Sequence, residues 1–287
     1  MLFTHLQGKS TTNELRDAMV KSFMSGIIAR DLTNRAKIPK TEVAFICSMF
    51  HDLGTNLTIY YFPEEYAEIK DLMSTSGQDI QSAARSVLGV SLDELGVSVA
   101  RVWKFPESIV YCMRGLPSGP VEKPNSILDH LRHFSVFANE LCGLAGGGLP
   151  ANQGERLNRL AHRFEGSFAI SEPEVLTLLQ SAVNRVEKYA GIMNIDPERS
   201  PFIRSLLKFI EADDESNVAD ACESASPQTS ALGEAEDLPA KRSLPEAKGN
   251  DCTTELDGLP NADAGAPSAK IWGRVLKLTH KLGLKKQ

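Results

Sequence analysis

Apolar side chains recur every three or four residues along most of the first 210 positions of this chain. This spacing gathers them on one face of an α-helix, whereas a half-buried strand alternates apolar and polar residues. No convincing alternating segment occurs, apart from a short ambiguous run at residues 57–62. The sequence therefore predicts an all-α bundle of several helices. Its first helix is expected from residue 13 to residue 32, with Leu15, Met19, Phe23, Ile27, Ile28 and Leu32 on the buried face.

Start signals mark further helices. Pro63 and Pro106 each follow a phenylalanine and precede glutamate, which is typical of a first helical turn, where proline fits and carboxylates interact favourably with the helix dipole. Ser91 and Ser171 each precede a glutamate by three residues, the spacing of a capping box. Another helix is expected over residues 125–144, followed by a run of glycines that favours a flexible hinge.

The helix predicted from Thr41 to Leu53 is apolar nearly all round and is therefore expected at the centre of the bundle. It carries His51 and Asp52, followed by Gly54, which is expected to end the helix. The two polar side chains need partners, because burying them unsatisfied costs about 1–3 kcal/mol each. Adjacent helical side chains diverge by about 100°, so the pair can hold one ion only if other helices supply further ligands.

The strings AFICSMFHDLGTNLTIYYFPEEYAEI and SVLGVSLDELGVSVARVWKFPESIV resemble the HDOD family, the HD-related output domains of bacterial signalling proteins. The similarity spans roughly residues 14–142 and rests on the ordered motifs HDLG, YYFPEEY, LGV, ELG and W-x-FPE. The following MRGLPSGPVEKP is similar to HDOD proteins fused to kinase or other regulatory modules. The resemblance implies an HD/HDOD-like multi-helix bundle, of which the later, HD-like half is expected here, and a role in signal transduction.

HD phosphohydrolases, which the same motifs resemble, bind metal through an early histidine, the His-Asp pair and a later aspartate. The resemblance places Lys21 at the first position and Asn139 at the last. A protonated lysine cannot coordinate a metal and repels it. Lys21, His51, Asp52 and Asn139 are therefore interpreted as a degenerate HD site without metal, cofactor or catalytic residue. In this interpretation Lys21 neutralises Asp52, while His51 and Asn139 complete the hydrogen bonds.

Two functions stay open. The first is a non-catalytic regulatory module that acts through contacts with protein partners in a signalling pathway, which the lysine and asparagine at two ligand positions favour. The alternative is a metal-dependent phosphohydrolase (phosphodiesterase) with an altered ligand set, for which the intact His51 and Asp52 are the candidate metal ligands. Nucleic-acid binding is not expected, because residues 1–210 carry 22 basic and 23 acidic side chains and no basic stripe.

A second pair of histidines, His130 and His133, lies on the helix expected at residues 125–144. Their spacing permits shared metal binding. Arg132 between them and the lack of suitably spaced Cys or Glu favour a solvated face or a partner contact instead.

Charge divides the end of the chain. Residues 211–269 carry 14 acidic and 3 basic side chains and no aromatic residue, so a disordered acidic linker is expected. Residues 270–287 carry 6 basic and no acidic side chains, and their spacing predicts a basic amphipathic helix. We expect this helix to dock on an anionic membrane surface or an acidic partner. The residues expected to make this contact are Lys270, Trp272, Arg274, Lys277 and Lys281.

The predicted organisation is an HDOD-like domain over residues 1–148, a helical appendage packing on it over residues 149–210, the linker and the basic helix. No apolar stretch reaches the length of a membrane span, and the start lacks the pattern of a secretory signal. A cytoplasmic protein is expected, and peripheral contact with a membrane through the basic helix is the alternative. The five scattered cysteines are expected to stay reduced.

Overall fold

The computed structural model describes residues 9–147, 153–193 and 200–210, and the structural statements below concern this part of the chain. These residues form helices joined by turns and loops, with no strand among them, so the predicted all-α class is confirmed. The expected acidic linker and basic helix lie outside them. The helices are α1 (Lys9–Arg35), α2 (Thr41–His51), α3 (Leu53–Tyr61), α4 (Pro63–Ser76), α5 (Ile80–Leu88), α6 (Leu92–Val102), α7 (Glu107–Cys112), α8 (Ile127–Gly146), α9 (Gln153–Phe164), α10 (Glu172–Met193) and α11 (residues 201–210).

The predicted start signals act largely as expected. The Ser91 hydroxyl accepts a hydrogen bond from the backbone amide of the glutamate three residues later, and that glutamate accepts one from the Ser91 amide, so the capping box is complete. At Ser171 the corresponding glutamate accepts from both the amide and the hydroxyl. Pro63 is the first residue of α4, whereas Pro106 lies one position before α7.

Three apolar clusters hold the helices together. The main cluster lies between α1, α2 and α8 and continues into α9, α10 and α11, so these last three helices share the core of the first ones. A second cluster lies between α4, α5 and α6, and a third joins α3, α6 and α7. Phe137 of α8, Phe164 of α9 and Phe209 of α11 are all fully buried in the main cluster. In the described ranges no helix is long and apolar enough to span a bilayer.

Gly54 was expected to end the central helix, but it does not. The helix α2 ends at His51, and Gly54 lies in the first turn of α3, which also takes in most of the ambiguous run at residues 57–62. A Cβ atom at Gly54 would overlap the carbonyl oxygen of Leu92 in α6, and one at Gly96 would lie 2.8 Å from the Gly54 nitrogen. The glycines of the HDLG and ELG motifs therefore let the backbones of α3 and α6 touch.

Candidate functional site

The centre of the site is the junction between α2 and α3. Asp52 occupies this junction, with φ −90° and ψ 22°, and separates the two helices. Its carboxylate faces α1, where the ammonium of Lys21 donates to Oδ2 at 2.8 Å. The Nδ1 atom of His51 lies 3.3 Å from the other carboxylate oxygen. The structure thus brings together three of the four residues predicted for the degenerate HD site.

Lys21 and Asp52 are held in their charged forms. Burial alone would lower the pKa of Lys21, but the charge of Asp52 and its hydrogen bond outweigh burial and raise that pKa. Burial would likewise raise the pKa of Asp52, but the charge of Lys21, with His51, holds it far below its usual range. The exposed fractions of the two side chains are 28% and 21%. They form a half-buried ion pair rather than a sealed one.

The fourth predicted residue, Asn139, lies on α8 but binds elsewhere. Its amide nitrogen donates to the backbone and hydroxyl oxygens of Ser48, both at 3.0 Å, and to the backbone oxygen of Ser135 at 2.9 Å. The two bonds to Ser48 tie α8 to α2 about one turn before the His-Asp pair, and the bond to Ser135 lies within α8. The amide nitrogen expected to complete the hydrogen bonds around Asp52 is therefore used up in helix packing.

One α8 residue near the ammonium is Gly143. A Cβ atom built there would lie 3.9 Å from the Nζ atom of Lys21. Gly143 follows Asn139 by one helical turn, so the two positions share a face and differ only in their position along the helix. A glycine supplies no side-chain ligand. The neighbouring α8 residue, Cys142, is fully buried and close enough to feel the charges of Lys21 and Asp52, and burial raises the pKa of its thiol to about 12.

The residues present do not fit the metal ion that the HD resemblance implies. In the described part of the chain, no group of three or more His, Cys, Asp or Glu side chains is placed to hold a metal ion. The ammonium of Lys21 is bound to the carboxylate of Asp52, which a metal would need as a ligand.

Sequence reasoning missed a second carboxylate near the pair. The Asp93 carboxylate accepts from the Gln81 side chain at 2.9 Å, and the Asp93 amide donates back to that side chain at 3.2 Å. Burial raises the pKa of Asp93, the charge of His51 opposes this rise, and the charge of Asp52 adds to it. The reciprocal bonds tie α5 to α6, and α5 itself was not predicted.

A cavity of about 440 Å³ opens beside the Lys21–Asp52 pair. Its volume falls within the range of about 300–1,000 Å³ that is usual for small-molecule sites. The wall combines side chains of α1, α3, α4, α5 and α11. Its further polar residues are Glu14, Asp17, Thr55, Asn56, Tyr66, Lys70, Gln81 and Ser205.

Helix α11 forms one side of this cavity. The hydroxyl of Ser200, just before the helix, donates to Asp17 at 2.6 Å and accepts from the amide of Ile203. The ring of Phe202 packs on Gly146, where an added Cβ atom would lie 2.6 Å from the ring. Gly146 therefore makes room for Phe202 at the end of α8, a role that the expectation of a hinge did not include.

The histidine pair of α8 is not a solvated face. His133 is buried, and its Nδ1 atom lies 2.8 Å from the hydroxyl oxygen of Ser167. Burial lowers the pKa of His133, an effect that the charge of Asp129 opposes. The ring of His130 packs near Phe134, with 6.0 Å between the ring centroids. His133 is thus a hydrogen-bonded core residue.

The site is thus a His-Asp pair at a helix junction inside a helical bundle. Residues 1–115 match the family model of the HDOD domain, so the family predicted from the motifs is confirmed over this part of the chain. No curated protein matches the chain.

Two solved structures are similar to this chain. One is an HDOD domain protein with unknown function from Geobacter sulfurreducens, at 17% identity and a TM-score of 0.44, with 60% of each chain covered. The other, from Shewanella amazonensis, is named "Putative phosphohydrolase" and shows 22% identity and a TM-score of 0.44, with 67% of this chain and 64% of that chain covered. The chain thus spans less than two thirds of either structure.

Proposed function

We propose that this chain is a non-catalytic regulatory module of a signalling pathway and acts through protein contacts of its HDOD-type domain. The observation that carries the proposal is the 2.8 Å ion pair between Lys21 and Asp52. A fixed ammonium repels a divalent cation and occupies the carboxylate that would bind it. With Gly143 facing the same point, the site offers structural charge neutralisation rather than metal chemistry.

The way in which the pair joins helices also supports a regulatory role. Lys21 belongs to α1, whereas Asp52 stands between α2 and α3, so one ion pair links the central helix to two others. A partner that shifts α1 would change this pair and the packing of the helices around it. The basic segment at residues 270–287 stays a predicted partner contact and lies outside the described residues.

The proposal is tested by metal analysis of the purified full chain together with phosphatase and phosphodiesterase assays. We expect no stoichiometric iron, manganese or zinc, and no hydrolysis of nucleotides or cyclic dinucleotides. Near-unit metal content, with an activity that His51→Ala abolishes, would overturn the proposal and establish the alternative phosphohydrolase, which the retained His51–Asp52 pair supports. His162→Ala is the matched control, because His162 is an exposed histidine of α9.

A further inference from the structure

The cavity beside Lys21 and Asp52 has a distinct charge pattern. Three carboxylates line it, those of Glu14, Asp17 and Asp52, against two ammonium groups. Lys21 neutralises Asp52, and Lys70 pairs with Glu14. Among the described residues, no lysine or arginine forms an ion pair with Asp17, whose hydrogen-bond partner is the Ser200 hydroxyl. The lining therefore carries one excess negative charge.

This balance disfavours an anionic ligand. A phosphate or carboxylate group in the cavity would meet three carboxylates and would have to separate an existing ion pair to reach an ammonium. Arg16 and Arg204 act on Asp17 only as more distant charges and do not line the cavity. A small cation therefore matches the lining better than a phosphate ester does.

The cavity already holds an ammonium group that belongs to the chain itself. The Nζ atom of Lys70 contacts the carboxylate of Glu14 and lies 5.2 Å from the centre of the Tyr66 ring. An aromatic face next to a carboxylate is a common arrangement for recognising organic ammonium ions. The Lys70 side chain is 45% exposed on a flexible stem, and exposed ion pairs add little stability, so it can be displaced.

A second ammonium position lies next to the first. Glu14 and Asp17 are three residues apart on α1, which places their side chains side by side on one face of the helix. Burial raises the pKa of Asp17, as expected for a carboxylate whose charge is incompletely compensated. One carboxylate thus has a lysine partner, and its neighbour has a hydroxyl group.

We propose that this cavity binds a small organic polyamine, with one ammonium group taking the place of Lys70 over Tyr66 at Glu14 and another lying at Asp17. Binding would release the link that Lys70 makes between α4 and α1. The second ammonium group would also compete with the Ser200 hydroxyl for Asp17 and so weaken the bond that holds the start of α11 to α1. The inference deepens the proposed regulatory function and rests on it in one respect, since it makes the polyamine the signal to which the module responds.

The test is isothermal titration of the full chain with spermidine at about 0.15 M salt, where weak surface attraction is screened. We expect one saturable site that hexane-1,6-diol, a similar but uncharged chain, does not occupy. The double variant Glu14→Gln/Asp17→Asn should bind spermidine about tenfold more weakly. Lys70→Met should bind it about threefold more tightly, because the internal competitor is gone.

The acidic linker requires a control of its own, since its carboxylates also attract polyamines. Glu234→Gln/Glu236→Gln removes two linker charges and should leave the saturable site unchanged. The proposal is overturned by the absence of a saturable site, by an equal loss in the linker variant, or by Lys70→Met binding no more tightly than the native chain. A misfolded variant cannot imitate the gain expected from Lys70→Met. Metal content and hydrolysis are measured separately, so failure here is distinguishable from failure of the proposed function.

Discussion

Lys21 and Asp52 supply each other's counter-charge at the point where a phosphohydrolase would need a metal and its ligands. Each side chain alone would leave a charge in a half-buried position, and transferring a charge out of water costs several kcal/mol. The two charges therefore neutralise each other, and the pair links α1 to the junction between α2 and α3. Removing both partners should therefore destabilise the fold by less than the sum of the two single removals.

We expect Asp52→Ala to lower the free energy of unfolding by about 2 kcal/mol. This is less than the roughly 3–5 kcal/mol typical of a fully buried pair, because both side chains here are partly exposed. Lys21→Met should cost a similar amount, and the double variant Lys21→Met/Asp52→Ala less than the sum. Denaturant unfolding of the four proteins measures the coupling. Additive losses would mean that the two side chains do not interact in solution.

His133 should make stability depend on pH near neutrality. Burial lowers its pKa in the folded chain, so below about pH 7 the unfolded chain binds more protons at this residue. The contribution of His133 to folding stability is complete above the ordinary histidine pKa. It is lost as the pH falls from that pKa toward the lowered pKa of the folded chain. These values set a window of roughly pH 7.5 to 5 for the measurement. Over this window the free energy of unfolding should fall less steeply in His133→Asn than in the native chain. His162→Asn, at a position outside the core, is the control for the loss of a histidine as such.

The site was predictable from the sequence only where the resemblance fixed the positions of residues. Lys21, His51 and Asp52 were identified this way, and the structure brings them together. Asn139 and Gly143 occupy one face of α8 a single turn apart, so helical periodicity alone cannot tell which of them faces the site. That choice depends on how α8 packs on α2, which is a tertiary property.

At the level of the helices, strong amphipathic patterns and complete caps predicted elements well, and short or buried segments were predicted poorly. The helices α1 and α8 and the capped start of α6 agree with their patterns. The break at Asp52 was missed, because apolar residues continue through it and only the packing of α3 on α6 requires two helices. The nine-residue helix α5 was missed although its apolar residues, at positions 80, 83, 84, 87 and 88, follow the helical period and Asp79 caps its start.

Gly54→Ala tests the close contact between α3 and α6. The added methyl group would overlap the backbone oxygen of Leu92, which cannot move away as a side chain can. We expect a loss of at least about 3 kcal/mol in the free energy of unfolding, at the upper end for overpacked sites. Thermal and denaturant unfolding measure it.

Gly77→Ala is the matched control for that variant. Gly77 also has no side chain and has φ 66°, but no atom lies within 4 Å of an added Cβ. Only the cost of the left-handed backbone applies there, about 1–2 kcal/mol. Equal losses at the two glycines would contradict the direct contact between the backbones of α3 and α6.

On the scale of the whole molecule, the described helices share apolar clusters. The strongly acidic and strongly basic stretches of the sequence both lie in residues 211–287. The main apolar cluster extends from α1 to α11, so the helices of the predicted appendage pack on those of the HDOD-like domain, and the boundary near residue 148 stays a prediction. Residues 211–287 contain the acidic stretch and the basic end, which lie outside the described residues. Their role is predicted from composition and spacing alone.

The basic segment should bind anionic membranes as an amphipathic helix. Each lysine or arginine near such a surface contributes about 1 kcal/mol, which offsets the cost of ordering a short helix. A peptide of residues 268–287 should gain helical circular dichroism and sediment with anionic vesicles, and the full chain should bind more weakly because the acidic linker competes. Equal binding to neutral vesicles, or no gain of helix, would mean that the basic face is merely solvated.

The hydrogen bond between Ser200 and Asp17 joins residues 183 positions apart in the chain. Contacts of such long range are slow to form, because a large loop must close before they add stability. During synthesis, α1 leaves the ribosome long before α11, so the wall that α11 adds to the cavity is built last. A nascent chain can complete its central helices and still present an open, unfinished pocket until the final turns of α11 arrive.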